Sequence, residues 1–251
     1  MTFVTARRGY RPRIRALLST VAVAVLLLQA GGAAVAQDES TGWMSDGNAA
    51  YITLGIGSFD LTDDPALARY ESVKDAQPLE WQREQLERAG RNASLEFGVF
   101  FVKAVSMGLR YEYHSAEYYH TVSGWFGPTR SVQYKTRIDE ILVDLRAWMP
   151  PRRGALLGFA GGYSKGELNG ESDTWSNTGG VYQFYTGGQF APGEGNTWLV
   201  VMRAGYALRN YGTTQASNSS PNGPVDLDMS GWFVELSVGG IAKIRSDEEL
   251  D

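Results

Sequence analysis

The residues that could do chemistry gather first in one run, Arg137 to Gly154, RIDEILVDLRAWMPPRRG. Glu140, Asp144 and Arg146 share one parity of that run, while Ile141, Val143, Leu145 and Met149 hold the other. Two carboxylates can act as general acid and general base. On an extended strand this pair stands four residues apart on one face, roughly 13 Å, wider than a glycosidase acid pair uses. Leu142 between them makes a poor metal site. A second set is His114-Ser115, with His120, Ser123 and Glu117 close in sequence. It could place a serine, a histidine and an acid at one rim, as a lipid-cleaving barrel would need. His114 and His120 are the two histidines of the chain, so a multi-histidine zinc site is excluded. We therefore assign no catalytic residue, no metal and no cofactor.

The elements around these residues explain them better. Alternation of period two recurs over 49–59, 92–102, 104–115, 131–149, 154–165, 179–190, 197–210 and 229–244. Helical spacing appears in LEWQREQLERAG, 79–90, with Glu84 and Arg88 at i,i+4, and predicts a surface helix there. The connections are expected to alternate in length. Long ones cover 60–91, 116–130, 166–178 and 211–228; short ones lie near Lys103, at 150–153 and at 191–196. That pattern predicts an all-β fold, an eight-stranded antiparallel up-and-down transmembrane barrel. Both chain ends then fall on the short-turn, periplasmic side.

Size decides which face is outside. An eight-stranded lumen is just wide enough for side chains to fill, and the apolar parity carries over two dozen bulky residues. It must point outward. The expected lipid-facing set includes Ile52, Leu54, Phe97, Val99, Leu109, Ile141, Val143, Leu145, Phe159, Val200, Val234 and Leu236. The opposite parity mixes glycines such as Gly98, Gly108 and Gly158 with charge. Its expected lumen network is Glu96, Arg110, Glu112, Glu140, Asp144, Arg146, Arg203 and Glu235, three arginines against five acids. Buried charges persist only when paired. The residues alone leave open an ion-pair plug, a narrow polar pathway, or a lipid-modifying rim site near His114.

The chain begins with Arg7, Arg8, Arg11, Arg13 and Arg15, then ALLSTVAVAVLLLQA, then Ala34-Val35-Ala36. This order predicts a cleaved export signal over 1–36, a periplasmic lead at 37–47, a barrel over 48–244 and an acidic periplasmic tail at 245–251. Beyond that leader 18 basic residues face 28 acidic ones, a net charge of −10. A basic nucleic-acid footprint is absent. There is no cysteine, so no disulfide staples the fold.

The alternating strands and the last of them, GWFVELSVGGIAKI, resemble the small outer-membrane barrels of the OmpA, OmpX and OmpW kind. In that resemblance Ser237, Gly239, Ala242 and Ile244 match the spacing recognised by the barrel-assembly machinery, although RSDEELD follows and no terminal aromatic is present. The resemblance implies a monomer in the bacterial outer membrane. It implies contact with membrane lipid and lipopolysaccharide, and a role as structural protein, adhesin or narrow channel. Segments 60–91 and 114–130 are the expected surface-contact loops, the second for its exposed aromatics; no extracellular ligand is named by the sequence.

Overall fold

The computed structural model describes residues 49–62, 64–66, 68–69, 86–102, 105–124, 127–148, 155–170, 173–190, 198–215 and 224–243. The expected signal, the 37–47 lead and the 245–251 tail lie outside them. Nine strands are present: β1 (Ala49–Leu61), β2 (Leu86–Val102), β3 (Val105–Gly124), β4 (Gly127–Trp148), β5 (Ala155–Asn169), β6 (Thr174–Phe190), β7 (Trp198–Thr214), β8 (Val225–Asp228) and β9 (Gly231–Lys243). Each pairs antiparallel with its neighbours, and β1 pairs β9 from Ala49↔Lys243 to Leu61↔Gly231. The sheet therefore closes into a barrel with eight walls, each paired on both sides at mid-height.

Four-residue β8 continues the eighth wall beyond β9. It pairs β7 at Thr213↔Asp226 and Thr214↔Val225. The wall breaks at Met229–Ser230. There the Ser230 hydroxyl takes over the lost ladder bonds, accepting from the Arg209 amide at 2.9 Å and donating to the Arg209 carbonyl at 3.1 Å.

Alternation sets the two faces of every strand, but its polarity reverses with height. At mid-height the outside is apolar: Ile52, Leu54, Phe97, Leu109, Ile141 and Val143 are each more than half exposed. The inside there is charged. Toward the end remote from the chain termini the inside turns apolar, with Tyr118, Ile138, Leu168, Trp175 and Leu227 buried. The outside becomes Lys135, Arg137, Lys165 and Glu167. Near the termini Tyr51, Phe100, Leu156, Leu199 and Val201 close the interior. The lumen is a charged layer between two apolar ones.

This reversal corrects two expectations. The segments 116–130 and 166–178 are not long loops. β3 and β4 run on to Gly124 and Gly127, leaving two residues between them, and β5 and β6 are separated by four. The aromatics of 114–130 are not a uniformly exposed set: Tyr118 faces inward at 2% exposure. A search for apolar side chains outside loses a strand where the apolar side turns inward. The helix expected over 79–90 is also wrong in its last turn. Leu86–Gly90 belong to β2 and pair with His120–Ala116 of β3; residues 79–85 lie outside the described chain. Ladder pairing with a neighbour overrides the helical preference of Glu87 and Arg88.

Past β1 the chain folds over the barrel mouth. The Asp64 carboxylate accepts from the Ala66 amide at 3.0 Å and from the Tyr118 hydroxyl at 2.5 Å. The resulting helical turn buries Ala66 completely and sets Arg69 over the Trp175 ring at 5.7 Å.

Candidate functional site: the charged layer of the lumen

Eight strand residues of inward parity meet at mid-height. They are Glu96 of β2, Arg110 and Glu112 of β3, Glu140, Asp144 and Arg146 of β4, Arg203 of β7 and Glu235 of β9, each 0–2% exposed. Asp144 is the hub. Its Oδ2 accepts from Arg110 at 2.5 Å and from Arg146 at 3.1 Å, with Arg203 at 3.5 Å. Arg146 also reaches Glu96 on the far side of β3, and Arg203 Nη1 donates to the same Glu96 oxygen at 3.0 Å. Arg203 pairs with Glu235 directly across the β7–β9 ladder. The remaining Glu235 lone pairs take Ser94 at 2.7 Å, Ser237 at 2.7 Å and Asn92 at 3.1 Å. Asn92 is thus committed inward.

Neutral groups complete the layer. The Tyr51 hydroxyl donates to Glu96 Oε1 at 2.7 Å, and Tyr185 donates to Asp144 while accepting from Arg146 Nε at 3.1 Å. Both tyrosines lie on glycines of adjacent strands. A Cβ at Gly98 would meet the Tyr51 ring, and one at Gly158 the Tyr185 ring. Glycine on those two walls makes room for a phenol inside a narrow barrel.

A fourth arginine, absent from the expected set, extends the layer. Arg209 of β7 crosses the lumen to Glu140 of β4, with Nε–Oε1 at 2.6 Å and Nη2–Oε2 at 3.0 Å. Four arginines, not three, face the five acids. The signal for Arg209 was present, since it shares the parity of Arg203 six residues earlier. Gln183 and Ser164 are also absent from the expected set, and His114, expected at the rim, is in the buried layer instead; neutral polar residues in a strand carry no mark of which wall will face them.

Glu112, His114 and Glu140 form the one cluster among the described residues with metal-ligating spacing. His114 Nε2 lies 3.2 Å from Glu112 Oε2 and 3.3 Å from Glu140 Oε2. Donors already fill the space a cation would take. The Gln183 amide donates to those same two oxygens at 2.8 and 3.0 Å, and Arg209 Nη2 stands 3.2 Å from the imidazole nitrogen. A guanidinium that close opposes a divalent cation. The donor set fits the arginine and amide present, not a metal.

Nor do His114 and Ser115 meet at a rim. His114 is fully buried and Ser115, the next residue on the strand, faces the other side of the wall. The side chains of His120 and Ser123 lie outside the described residues. Every carboxylate of the layer is held by guanidinium, hydroxyl or amide donors.

No protein-family model and no curated protein matches this sequence. Solved structures do. The outer membrane protein OprG from Pseudomonas aeruginosa matches with TM-score 0.47 and 10% identity over 80% of this chain and 98% of that one. Ail, the attachment invasion locus protein of Yersinia pestis, matches with TM-score 0.41 and 11% identity over 78% and 99%. The outer membrane protease OmpT from Escherichia coli matches with TM-score 0.29 and 10% identity over 77% and 93%. Likeness at this level adds nothing to what the closed strand register establishes: this chain is an eight-walled antiparallel β-barrel.

Proposed function

We propose that this chain is a non-enzymatic bacterial outer-membrane β-barrel protein with a plugged lumen, serving as a structural and surface-interaction protein. The observation that carries the reading is the charged layer, nine buried ionic side chains bonded across the lumen at mid-height. A transport path would have to break several of these pairs at once, and each break leaves an uncompensated buried charge. Membrane insertion is supported by the outward belt. Leu54, Ile56, Phe97, Leu109, Phe184 and Trp198 are all 55–71% exposed, a surface that water disfavours and lipid does not.

In this reading the end bearing the chain termini faces the periplasm, where the assembly machinery engages the last strand. The remote end, where β3 and β4 rise above the belt, meets lipopolysaccharide and the outside. In this reading the barrel is a monomer, because closure leaves the strands no free edge at belt height for a partner.

The test is conductance together with location. Refolded protein in planar bilayers is expected to be silent, and protein from the source cell is expected in the outer-membrane fraction with heat-modifiable gel mobility. Steady single-channel steps that change when Arg110 or Arg203 is neutralised would establish the narrow channel instead. Altered lipid A in expressing cells would establish the lipid-modifying enzyme.

A further inference from the structure

The charges of the layer do not balance. Its four arginines face five carboxylates, all buried. With each of them ionised and His114 neutral, one net negative charge is left inside the barrel. An uncompensated charge held out of water is strongly disfavoured. One more proton within the layer cancels it.

The geometry marks where that proton sits. His114 is fully buried and pairs Ile138, between Arg137 and Asp139, where β4 leaves the apolar belt. Its Nε2 points between two carboxylates, Glu112 Oε2 at 3.2 Å on its own strand and Glu140 Oε2 at 3.3 Å on β4. A ring lone pair aimed at two carboxylate oxygens would repel both, so Nε2 carries hydrogen. The second hydrogen of an imidazolium falls on Nδ1, which has no hydrogen-bond partner. One bare N–H costs less than one unbalanced buried charge.

The other walls add no second proton carrier beside the ring. β1 sets Phe59 against it, ring centroids 5.1 Å apart, and β2 sets Asn92 on the same rung. From β5 the Ser164 hydroxyl donates to Glu140 at 2.9 Å, and Tyr211 of β7 bonds Ser164. From β6 the Gln183 amide donates to both carboxylates. Glu112 Oε1 faces Arg110 Nε at 2.8 Å and Arg203 Nη2 at 3.9 Å. Arg209 of β7 is the cation beside the imidazole, its Nη2 at 3.2 Å from Nε2. Both nitrogens can donate to one oxygen, Glu140 Oε2, at 3.0 Å from Arg209 and 3.3 Å from His114. The guanidinium that keeps a divalent cation out therefore leaves room for a proton, which lies on the ring itself.

We propose that His114 is a buried proton-binding site, an imidazolium whose charge neutralises the layer and makes the plug loosen as pH rises. The inference rests on the sealed lumen of the reading above. Its sign follows from proton counts. The unfolded chain releases a histidine proton near about pH 6.5, while the folded layer keeps it. Below that pH both states hold the proton and the stabilisation is complete. Above it folding takes up one proton, and the folding equilibrium constant falls about tenfold per pH unit until the folded layer lets go.

The test uses the untagged full chain refolded into phosphatidylcholine vesicles, whose headgroups do not titrate in this range. The H120N variant leaves His114 the sole imidazole, and nitrogen-15 magnetic resonance reads its ring. Both ring nitrogens are expected to carry hydrogen at about pH 8. The E112Q variant, which removes the excess negative charge, is expected to show a neutral ring there. Urea titration across the same range is expected to show the tenfold slope in wild type, and to lose it in H114N and E112Q. A neutral His114 ring in folded H120N at about pH 8 overturns the proposal, whether or not H114N folds. So does a wild-type slope that both other variants keep. Steady conductance in planar bilayers would overturn the sealed lumen instead, and it is recorded separately from the ring signal.

Discussion

Arg209 and Glu140, 69 residues apart, meet across the lumen as a two-pronged ion pair, Nε on one carboxylate oxygen at 2.6 Å and Nη2 on the other at 3.0 Å. The pair ties β7 to β4, walls that share no ladder. It shows what the charged layer does. The hydrogen-bonded ladder fixes each wall to its neighbours, and ion pairs such as this one and Arg146–Glu96 also fix walls that are not neighbours.

Removing one partner should therefore cost more than removing both. Arg209→Met leaves Glu140 buried with Ser164, Gln183 and His114 but no guanidinium, and is expected to lower unfolding free energy by about 3–5 kcal/mol. The Arg209→Met/Glu140→Leu double variant should recover most of that. Urea titration in lipid vesicles measures both, and equal losses in the two variants would show that the pair is not coupled.

The tyrosine-on-glycine contacts predict a steric effect that depends on its partner. Gly98→Val drives a side chain into the Tyr51 ring and is expected to cost about 1–3 kcal/mol. Adding Tyr51→Ala should relieve part of it. If the Gly98→Val cost is the same with and without Tyr51, the ring is not what glycine accommodates there.

Height along the wall should decide the effect of an outward charge. Val143→Arg lies in the belt and is expected to destabilise the barrel in bilayers by about 2–4 kcal/mol. Ser176→Arg, also outward but above the belt, should change it by under about 1 kcal/mol. The same pair of variants in the soluble unfolded chain is the control.

The edge of the belt can be located directly. Nitroxide labels on Cys introduced at Ile141, Asp139 and Arg137 step outward along one face of β4. Relaxation by oxygen should dominate at position 141 and relaxation by an aqueous nickel complex at position 137. Equal aqueous exposure at 141 and 137 would remove the lipid-facing assignment.

Much of the barrel was legible because period-two alternation is a local property. Ile141, Val143 and Leu145 take one face and Glu140, Asp144 and Arg146 the other whatever their neighbours do. The eight charged lumen residues were legible for the same reason, and so was the direction of the apolar face, since volume forbids the alternative. The tops of β3 to β6 were not, because alternation continues there with its polarity reversed: Tyr118 and Ile138 inward, Lys135 and Arg137 outward. Nor was the fate of Leu86–Gly90, which the pairing with β3 determines.

The sequence by itself determined the parity of the residues at belt height and hence that an apolar wall surrounds a charged interior. Only the tertiary structure decided which charges meet. Strand register brings Arg203 beside Glu235, while barrel closure brings Arg146 to Glu96 and Arg209 to Glu140 across strands that never pair. Those contacts depend on the shear and diameter of a closed sheet, and no local pattern of residues encodes a closure distance.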